Sequence, residues 1–385
     1  MEALVPSVVR SSEQDFGGCQ MGTESKVNKR KALLALGQLP AAATIPAGPH
    51  AISDVRAFSV PLSGTKNSYV VLQLRTQSGL AGYGECKELS RADLKATSEA
   101  VLGRPASAYE ALRPVVPSNA QAALDMALLD ILGKATKAPV YRVLGGPTRN
   151  KARVIVRLAG NSDDELQRDL QKQLALGFAA FLVPIPAPAA RNQGSAYIHA
   201  GVARFKAMRA AAPHADFAFA CGDELTPSDT ASLAAAVESM HPLWFDAPCP
   251  VSNLSTLHKI ADETVVPLGF GRDIANPGTF QDLLRAGLVD LLRPNLLIHG
   301  ISGVRRLAAM AETYYVAVSP WHDGGPIATA AALHVAASIP NFFIVELPNT
   351  GAGSTSPHDG FCALPKGPGL GVDVNEEELE RNQIT

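Results

Sequence analysis

The sequence predicts an α/β protein in which a barrel of parallel strands follows a smaller α+β domain. From Lys151 onward, eight short apolar strands alternate with helix-compatible stretches, an order that favours parallel βα units. Closure of these units into a barrel is the economical arrangement, and no glycine-rich fingerprint follows the first strand to favour an open, doubly wound sheet. Before Lys151, three consecutive strands and a buried helix are typical of an antiparallel sheet with a helix packed on it.

The composition is that of an ordinary globular protein of two domains. The 385 residues are 46% apolar and 18% charged, and the formal net charge is -2. Because the sequence has no basic arm, block of like charge or stacked aromatic set, we expect no nucleic-acid partner. The five cysteines are scattered and form no CxxC pair, which argues against a disulfide framework and against a cysteine zinc site.

Residues 1–50 are predicted to lie outside the fold, as a disordered extension or an export leader. The basic run Lys26–Lys31 precedes a stretch of small apolar residues, and Lys29-Arg30 resembles a degraded twin-arginine pair. Pro40 and the late position of the basic run argue against a leader, so a cytoplasmic and an exported protein both stay open. No apolar run reaches the roughly 18 residues needed to span a bilayer, and we expect no membrane span.

Residues 51–150 are predicted to form the α+β domain. Its strands, rich in β-branched and aromatic residues, are predicted at 54–62, 68–76 and 80–86. Small and apolar residues at intervals of three and four predict a buried helix at 119–134. The turn residues Leu144-Gly145-Gly146-Pro147 place a domain boundary near 147–152.

Residues 151–360 are predicted to form the barrel, and residues 361–385 a C-terminal segment that returns to the first domain. The eight predicted strands span 154–159, 179–185, 217–221, 243–246, 266–270, 288–294, 314–320 and 342–346. Helices are predicted between them, for example at 163–176 and 230–240, and a last helical turn is predicted at 376–381.

Several segments, taken together, resemble the mandelate racemase and muconate lactonizing branch of the enolase superfamily, and most of all its sugar-acid dehydratases. The segments are LDMALLDILGK (124–134) with Leu144-Gly145-Gly146, WFDAP (244–248), the stretch from Gly325 to Glu346, and PKGPGLG (365–371). The resemblance implies an α+β cap domain over a (β/α)7β barrel. It also implies that a small carboxylate or sugar acid binds between the cap loops and the carboxyl ends of the barrel strands, in a homo-oligomer.

The resemblance further implies a reaction. In this family a Lys or His base removes a proton α to a carboxylate, beside a Mg²⁺ ion that stabilises the resulting anion. Mg²⁺ is a hard cation that takes oxygen ligands, and the family holds it with three carboxylates at the ends of the third, fourth and fifth barrel strands.

The sequence departs from this metal pattern. The fourth-strand carboxylate is Asp246, but Ala220 and Arg272 stand 26 residues to either side, at the third- and fifth-strand positions. Two of the three metal ligands are therefore replaced, one of them by a cation.

The base positions are also changed. Leu182-Val183-Pro184 stands where the family has Lys-x-Lys on the second strand. Asn295 replaces the acidic residue of the sixth strand, and Trp321 replaces the histidine of the seventh, with His322 one position later. A slip of one residue normally turns a side chain to the other face of a strand, although a strand end can already be turning. Glu346, on the eighth strand, is retained.

Two metal-free arrangements of the barrel mouth stay open. Arg272 can pair with Asp246 in an inactive mouth, or Arg272 can hold a ligand carboxylate by bidentate hydrogen bonds, with Trp321 as a further ligand-binding residue. In the second arrangement, the candidates for acid–base chemistry are His322, Asn295 and Glu346.

Two functions therefore remain open. The first is a family member without the usual Mg²⁺-dependent proton abstraction, which needs no cofactor and binds a carboxylate ligand at the barrel mouth. The second is an active lyase, such as a sugar-acid dehydratase, or a racemase that acts on a hydroxy-carboxylate with Mg²⁺ in a relocated site. The ligands of that relocated site would be Asp246, Asp223, Glu224 and Asp273.

Overall fold

The computed structural model of the chain describes residues 48–61, 68–186, 195–221, 225–251, 254–349 and 356–384. The candidate leader lies outside these ranges. Within them, no helix is both long enough and apolar enough to cross a membrane.

The amino-terminal domain is built on a three-stranded antiparallel sheet. Its strands, in spatial order, are β1 (Ile52–Pro61), β2 (Ser68–Thr76) and β3 (Ala81–Cys86). The turn from β2 to β3 is closed by a hydrogen bond from Thr76 N–H to Leu80 O at 2.9 Å. Gly79 takes the left-handed conformation that this turn requires, with φ of 84°.

The helices of this domain follow β3 in the sequence. They are Arg91–Val101, Tyr109–Leu112, Gln121–Ala135 and Val140–Val143, with 3-10 turns at Ala106–Ala108 and Arg113–Val115. The helix Gln121–Ala135, which the sequence predicts to within two residues, packs closely on β3. A Cβ atom on Gly84 would overlap the carbonyl oxygen of Ala123, so glycine is needed at this contact.

Eight parallel strands form the barrel. They are β4 (Lys151–Arg157), β5 (Ala180–Pro184), β6 (Asp216–Ala220), β7 (Phe245–Asp246), β8 (Leu268–Phe270), β9 (Leu291–Leu292), β10 (Ala317–Val318) and β11 (Val345–Leu347). Consecutive strands pair from β4 to β10, and β11 pairs with β4. Backbone hydrogen bonds from Val318 to Asn341 (2.9 Å) and from Glu346 to Pro320 (3.0 Å) join the two remaining edges. The predicted fold class is therefore confirmed.

The barrel helices lie between successive strands. They are Asp163–Ala175, Ser195–Ala211, Pro227–Val237, Leu254–Asp262, Pro277–Arg285, Leu296–Glu312 and Pro326–Ala336, with a 3-10 turn at Glu238–Met240. The first begins with a capping box, in which the Ser162 hydroxyl accepts a hydrogen bond from Glu165 N–H at 3.3 Å. Three of the helices start at a proline, whose fixed φ suits the first turn.

Apolar side chains fill the inside of the barrel. The interior cluster consists of Ile155, Ala180, Leu182, Ala218, Ala220, Trp244, Leu291 and Ile344. At the carboxyl ends of the strands this cluster gives way to charged side chains, which is where barrel proteins carry their sites.

Two buried carboxylates of the first domain bind backbone N–H groups of the barrel. Glu85, on β3, accepts hydrogen bonds from Gly325 N–H (2.6 Å) and Ile327 N–H (2.9 Å), at the start of the helix Pro326–Ala336. Asp125 accepts one from Ser302 N–H at 2.9 Å. The first domain is thereby fixed to the two barrel helices that follow β9 and β10.

The C-terminal segment contacts both domains. Strand β12 (Phe361–Ala363) pairs antiparallel with β4, and a short helix, Glu376–Glu380, follows. The last residues then lie along β1, where Ser59 N–H donates to Asn382 O at 2.9 Å and Ile384 N–H donates to Ala57 O at 2.8 Å.

Candidate functional site

Charged side chains converge at the carboxyl ends of four barrel strands. Asp246 ends β7, Glu346 lies in β11, Arg293 follows β9 directly, and Arg272 comes two residues after β8. Because the strands are parallel, their carboxyl ends meet at one end of the barrel, and the four side chains are brought together there. We call these four residues the mouth network.

The mouth network alternates two guanidinium groups with two carboxylates. Arg272 Nη1 lies 3.1 Å from Asp246 Oδ2 and 2.5 Å from Glu346 Oε2. Arg293 Nε lies 2.8 Å from Asp246 Oδ1, and Arg293 Nη2 donates to Glu346. The predicted pairing of Arg272 with Asp246 is present, and Arg293 makes the second bridge.

Three of the four side chains in the mouth network are almost completely buried. The Arg293 side chain is 0% exposed, Asp246 1% and Glu346 6%. Desolvation alone would raise the pKa of Glu346, but the charges and hydrogen bonds of Arg272 and Arg293 outweigh it and lower the pKa to about 2. Desolvation likewise opposes the charge on Arg272, but Glu346 and Asp246 raise its pKa. Glu346 and Arg272 are therefore both ionised at neutral pH.

Two tryptophans hold the mouth network from either side. The ring of Trp321 stacks on the Arg272 guanidinium, and the Arg272 Cζ atom lies 3.7 Å from the centre of the ring. Trp244, inside the barrel, donates from Nε1 to Asp246 Oδ1 at 3.2 Å, and its ring lies 5.1 Å from the Arg293 guanidinium. The Arg293 Nη1 atom also donates to the Ser319 hydroxyl at 2.6 Å.

Other predicted site residues make structural contacts. Asn295 caps the helix Leu296–Glu312, since its Oδ1 accepts from Leu297 N–H at 2.8 Å. His322 is buried with its Nε2 3.3 Å from the Thr329 hydroxyl, and desolvation lowers its pKa to about 4. A neutral imidazole is therefore expected at pH 7.

The proposed relocated metal ligands are only partly described. Asp273 is exposed beside Arg272, and Asp223 and Glu224 lie outside the described residues. Within the described ranges, no group of three or more His, Cys, Asp and Glu side chains is close enough to hold a metal ion.

A Mg²⁺ ion does not fit the mouth network. Mg²⁺ requires near-octahedral oxygen coordination, whereas guanidinium donors occupy both carboxylates, Asp246 and Glu346. At the third-strand ligand position, the alkyl side chain of Ala220 belongs to the apolar interior cluster.

Sequence reasoning missed two arginines at the barrel mouth. Arg293 belongs to the predicted strand LVDLLRP, and Arg157 to the predicted strand VIVRLA. Both arginines could have been identified from the sequence, because an arginine in a predicted apolar strand is costly to bury without a partner. Motif comparison overlooked it because neither position is a metal ligand or base in the family pattern.

Comparison with protein families agrees with the motifs. Residues 56–145 match the model of the mandelate racemase / muconate lactonizing enzyme N-terminal domain, and residues 165–378 match the model described as enolase C-terminal domain-like.

Individual proteins are similar over most of the chain. A D-galactonate dehydratase family member from Streptomyces bingchenggensis is 30% identical, with 85% of this chain and 92% of that protein covered. A D-galactonate dehydratase from Variovorax paradoxus is 29% identical, with coverages of 81% and 90%. Among solved structures, a mandelate racemase/muconate lactonizing enzyme-like protein from Roseovarius sp. TM1035 has a TM-score of 0.77 at 26% identity, with 86% of this chain and 95% of that chain covered.

Proposed function

Because the chain belongs to the mandelate racemase and muconate lactonizing enzyme branch of the enolase superfamily, we propose that its barrel mouth binds a small hydroxy-carboxylate. We further propose that it does so with no metal cofactor and without the Mg²⁺-dependent proton abstraction of the family.

The mouth network carries this proposal. Arg272 and Arg293 supply two positive charges between Asp246 and Glu346, the charge that a divalent cation would otherwise bring. Inserting Mg²⁺ would require breaking buried, charge-assisted hydrogen bonds and leaving the guanidinium groups beside a second cation. The described residues also include no lysine on β5 to act as a base.

A second candidate function is that of an active sugar-acid dehydratase with a relocated Mg²⁺ site. Its support is that the relatives from Streptomyces and Variovorax carry the name D-galactonate dehydratase. This function needs a metal cluster formed from Asp246 with Asp223, Glu224 and Asp273, so Asp246 would have to leave its ion pairs with Arg272 and Arg293.

The two functions differ in what Mg²⁺ does. We expect D-galactonate to raise the Tm of the full chain equally in Mg²⁺ and in EDTA, because a ligand present at 100 times its Kd stabilises the fold by about 2.7 kcal/mol. We expect Mg²⁺ alone to leave the Tm unchanged, and we expect no 2-oxo acid, the product of dehydration, to accumulate with D-galactonate. Thermal-shift and semicarbazide absorbance measurements check both points.

The variant Asp273→Asn is the matched control. The side chain of Asp273 is exposed, so its replacement leaves carboxylate binding unchanged under the metal-free proposal. Formation of a 2-oxo acid that requires Mg²⁺ and disappears in Asp273→Asn would establish the second function instead. A chain that no sugar acid or simple carboxylate stabilises would show that the binding proposal is wrong.

A further inference from the structure

Arg157 stands at a position from which barrel proteins present side chains to ligands. It is the last residue of β4, the first barrel strand. Its backbone is fixed, since it pairs with Leu182 of β5 and its carbonyl oxygen accepts a hydrogen bond from Asn349 Nδ2 at 3.0 Å. The strand therefore holds this side chain at the mouth of the barrel.

The guanidinium of Arg157 is accessible to solvent and yet surrounded by protein. Its side chain is exposed, while desolvation, followed by the like charge of Arg272, lowers its pKa. The negative charges of Glu346 and Asp246 raise the pKa of Arg157 and so partly offset these two effects. The side chain of Arg157 therefore reaches solvent at the carboxyl end of β4, within the electrostatic influence of the mouth network.

Within the described residues, the five N–H donors of Arg157 have no side-chain or backbone acceptor. The two arginines of the mouth network differ, because Arg272 and Arg293 are both bound to Asp246 and Glu346. That network is balanced in charge, with two arginines and two carboxylates, and Asp273 is exposed beside Arg272. Arg157 is thus a cation without a direct ion pair in the described part of the mouth.

Two buried polar atoms nearby point independently to a polar ligand. Trp321 and His322 are only 8% and 2% exposed. In the described structure, Trp321 Nε1 and His322 Nδ1 have no hydrogen-bond partner. Trp321 stacks on Arg272, which is the neighbour of Arg157. Unsatisfied buried groups of this kind are rare, and an ordered water, a bound ion or a catalytic role can account for them.

We propose that Arg157 is the anion-binding residue of the barrel mouth, which holds the carboxylate of the ligand by bidentate hydrogen bonds where the family uses a metal ion. Trp321 Nε1 and His322 Nδ1 provide the adjoining polar contacts for the ligand's hydroxyl groups. A planar guanidinium matches a carboxylate in shape and charge, and it cannot lose its proton. This inference rests on the proposed function and adds to it the residue that selects an acid over a neutral polyol.

Arg153 offers a matched control on the same strand. It lies four residues earlier in β4, where its Nη2 donates to Asp216 and its guanidinium lies 5.6 Å from the ring centre of Phe343. Replacement of Arg153 therefore removes an arginine from the same strand without reaching the mouth.

The test compares D-galactonate with galactitol, the related polyol that has no carboxylate. We expect the wild-type chain to bind D-galactonate but not galactitol. Arg157→Gln should raise the Kd for D-galactonate about 10- to 100-fold, since a hydrogen bond to a charged group is lost. Arg157→Lys, which keeps the charge but not the bidentate geometry, should give an intermediate Kd, and Arg153→Gln should bind as the wild type does. Calorimetric titration of the full chains measures all of these.

Labelling with phenylglyoxal, which modifies accessible arginines, gives a second measurement without a variant. Mass spectrometry of the Arg157 peptide should show labelling in the free protein and protection by D-galactonate, but no protection by galactitol. If the wild type binds D-galactonate while Arg157→Gln binds it equally well and Arg157 stays unprotected, Arg157 is not the anion-binding residue and the proposed function stands. If the wild type binds no carboxylate at all, the proposed function and this inference are both wrong.

Discussion

Arg293 is the most deeply buried member of the mouth network, and its side chain has three hydrogen-bond partners. It contacts Asp246, Glu346 and Ser319. A buried ion pair gains little over an apolar replacement of the whole pair, but removal of one partner leaves an uncompensated charge in the interior. The contribution of each charged residue of the mouth network to stability therefore depends on the presence of its partners.

Replacement of Arg293 tests this dependence. Arg293→Met should lower the free energy of unfolding by about 3–5 kcal/mol, because Asp246 and Glu346 then share only Arg272. The double variant Arg293→Met/Glu346→Gln restores the charge balance and should recover part of the loss. Urea denaturation followed by circular dichroism measures both, and a loss below about 1 kcal/mol in the single variant would contradict the geometry described.

His322 predicts a pH dependence of stability. Its pKa is lowered to about 4 in the folded chain by desolvation, against about 6.5 when unfolded. Between these values the unfolded chain binds a proton that the folded chain does not, so this contribution to stability is fully present above pH 6.5 and is lost as the pH falls towards 4. It amounts to about 2 kcal/mol between pH 7 and pH 5.

The variant His322→Gln should flatten this pH dependence, whatever its effect on stability at pH 7. Unfolding free energies of the wild type and the variant at pH 5 and pH 7 provide the comparison. His258→Gln, on the exposed side of the helix Leu254–Asp262, is the control and should keep the wild-type dependence. Parallel curves for the wild type and His322→Gln would show that His322 is not buried as described.

Sequence reasoning predicted individual site residues unevenly. Motif spacing located Asp246, Arg272 and Glu346, because family patterns report on strand-end positions. It did not predict that Asn295 caps a helix, because a side chain's hydrogen-bond partner depends on the path of the backbone around it. Motif spacing also did not identify Arg293 and Arg157 as site residues. Whether a cation is buried or unpaired can be judged only when its neighbours in the fold are known.

Secondary-structure elements were more predictable than the site. All eight barrel strands coincide with apolar runs, because a strand that is buried on both faces needs apolar side chains at nearly every position. Six of the eight strands are shorter than those runs: β9, for example, is Leu291–Leu292 within the predicted 288–294. The difference arises because the apolar pattern reports burial, whereas strand length also depends on hydrogen bonding to the neighbouring strands.

Glu85 links an element of the cap domain to an element of the barrel. It accepts hydrogen bonds from Gly325 and Ile327 N–H at the start of the helix Pro326–Ala336, while burial raises its pKa to about 7. Glu85→Ala leaves two buried donors without an acceptor and should lower the free energy of unfolding by about 2–4 kcal/mol. Glu88→Ala, at an exposed position three residues later, is the control and should be nearly neutral. Chemical denaturation measures both, and equal effects would contradict the capping role.

At the scale of the whole molecule, the C-terminal segment joins the two domains. The residues after Asn375 bury Leu379 and bind both β1 and the side chain of Arg75. Deletion of residues 376–385 should lower the Tm, and hydrogen exchange should become faster at Ser59, which loses its acceptor on Asn382. The amide of Phe219, bonded to Trp244 within the barrel, should exchange as before.

Deletion of Thr385 alone keeps Asn382 and Ile384, so it is the control and should leave both the Tm and the exchange at Ser59 unchanged. Equal exchange at Ser59 in the two deletions would contradict the contact between the C-terminal segment and β1.

The same return of the chain has a consequence for biosynthesis. Strand β1 leaves the ribosome before the barrel strands, but its partners Asn382 and Ile384 leave after them. Domains that use only contiguous sequence can finish folding while translation continues. Here the cap domain cannot complete its contacts along β1 until all eight barrel strands have been synthesised, so its completion reports that the whole barrel has been made.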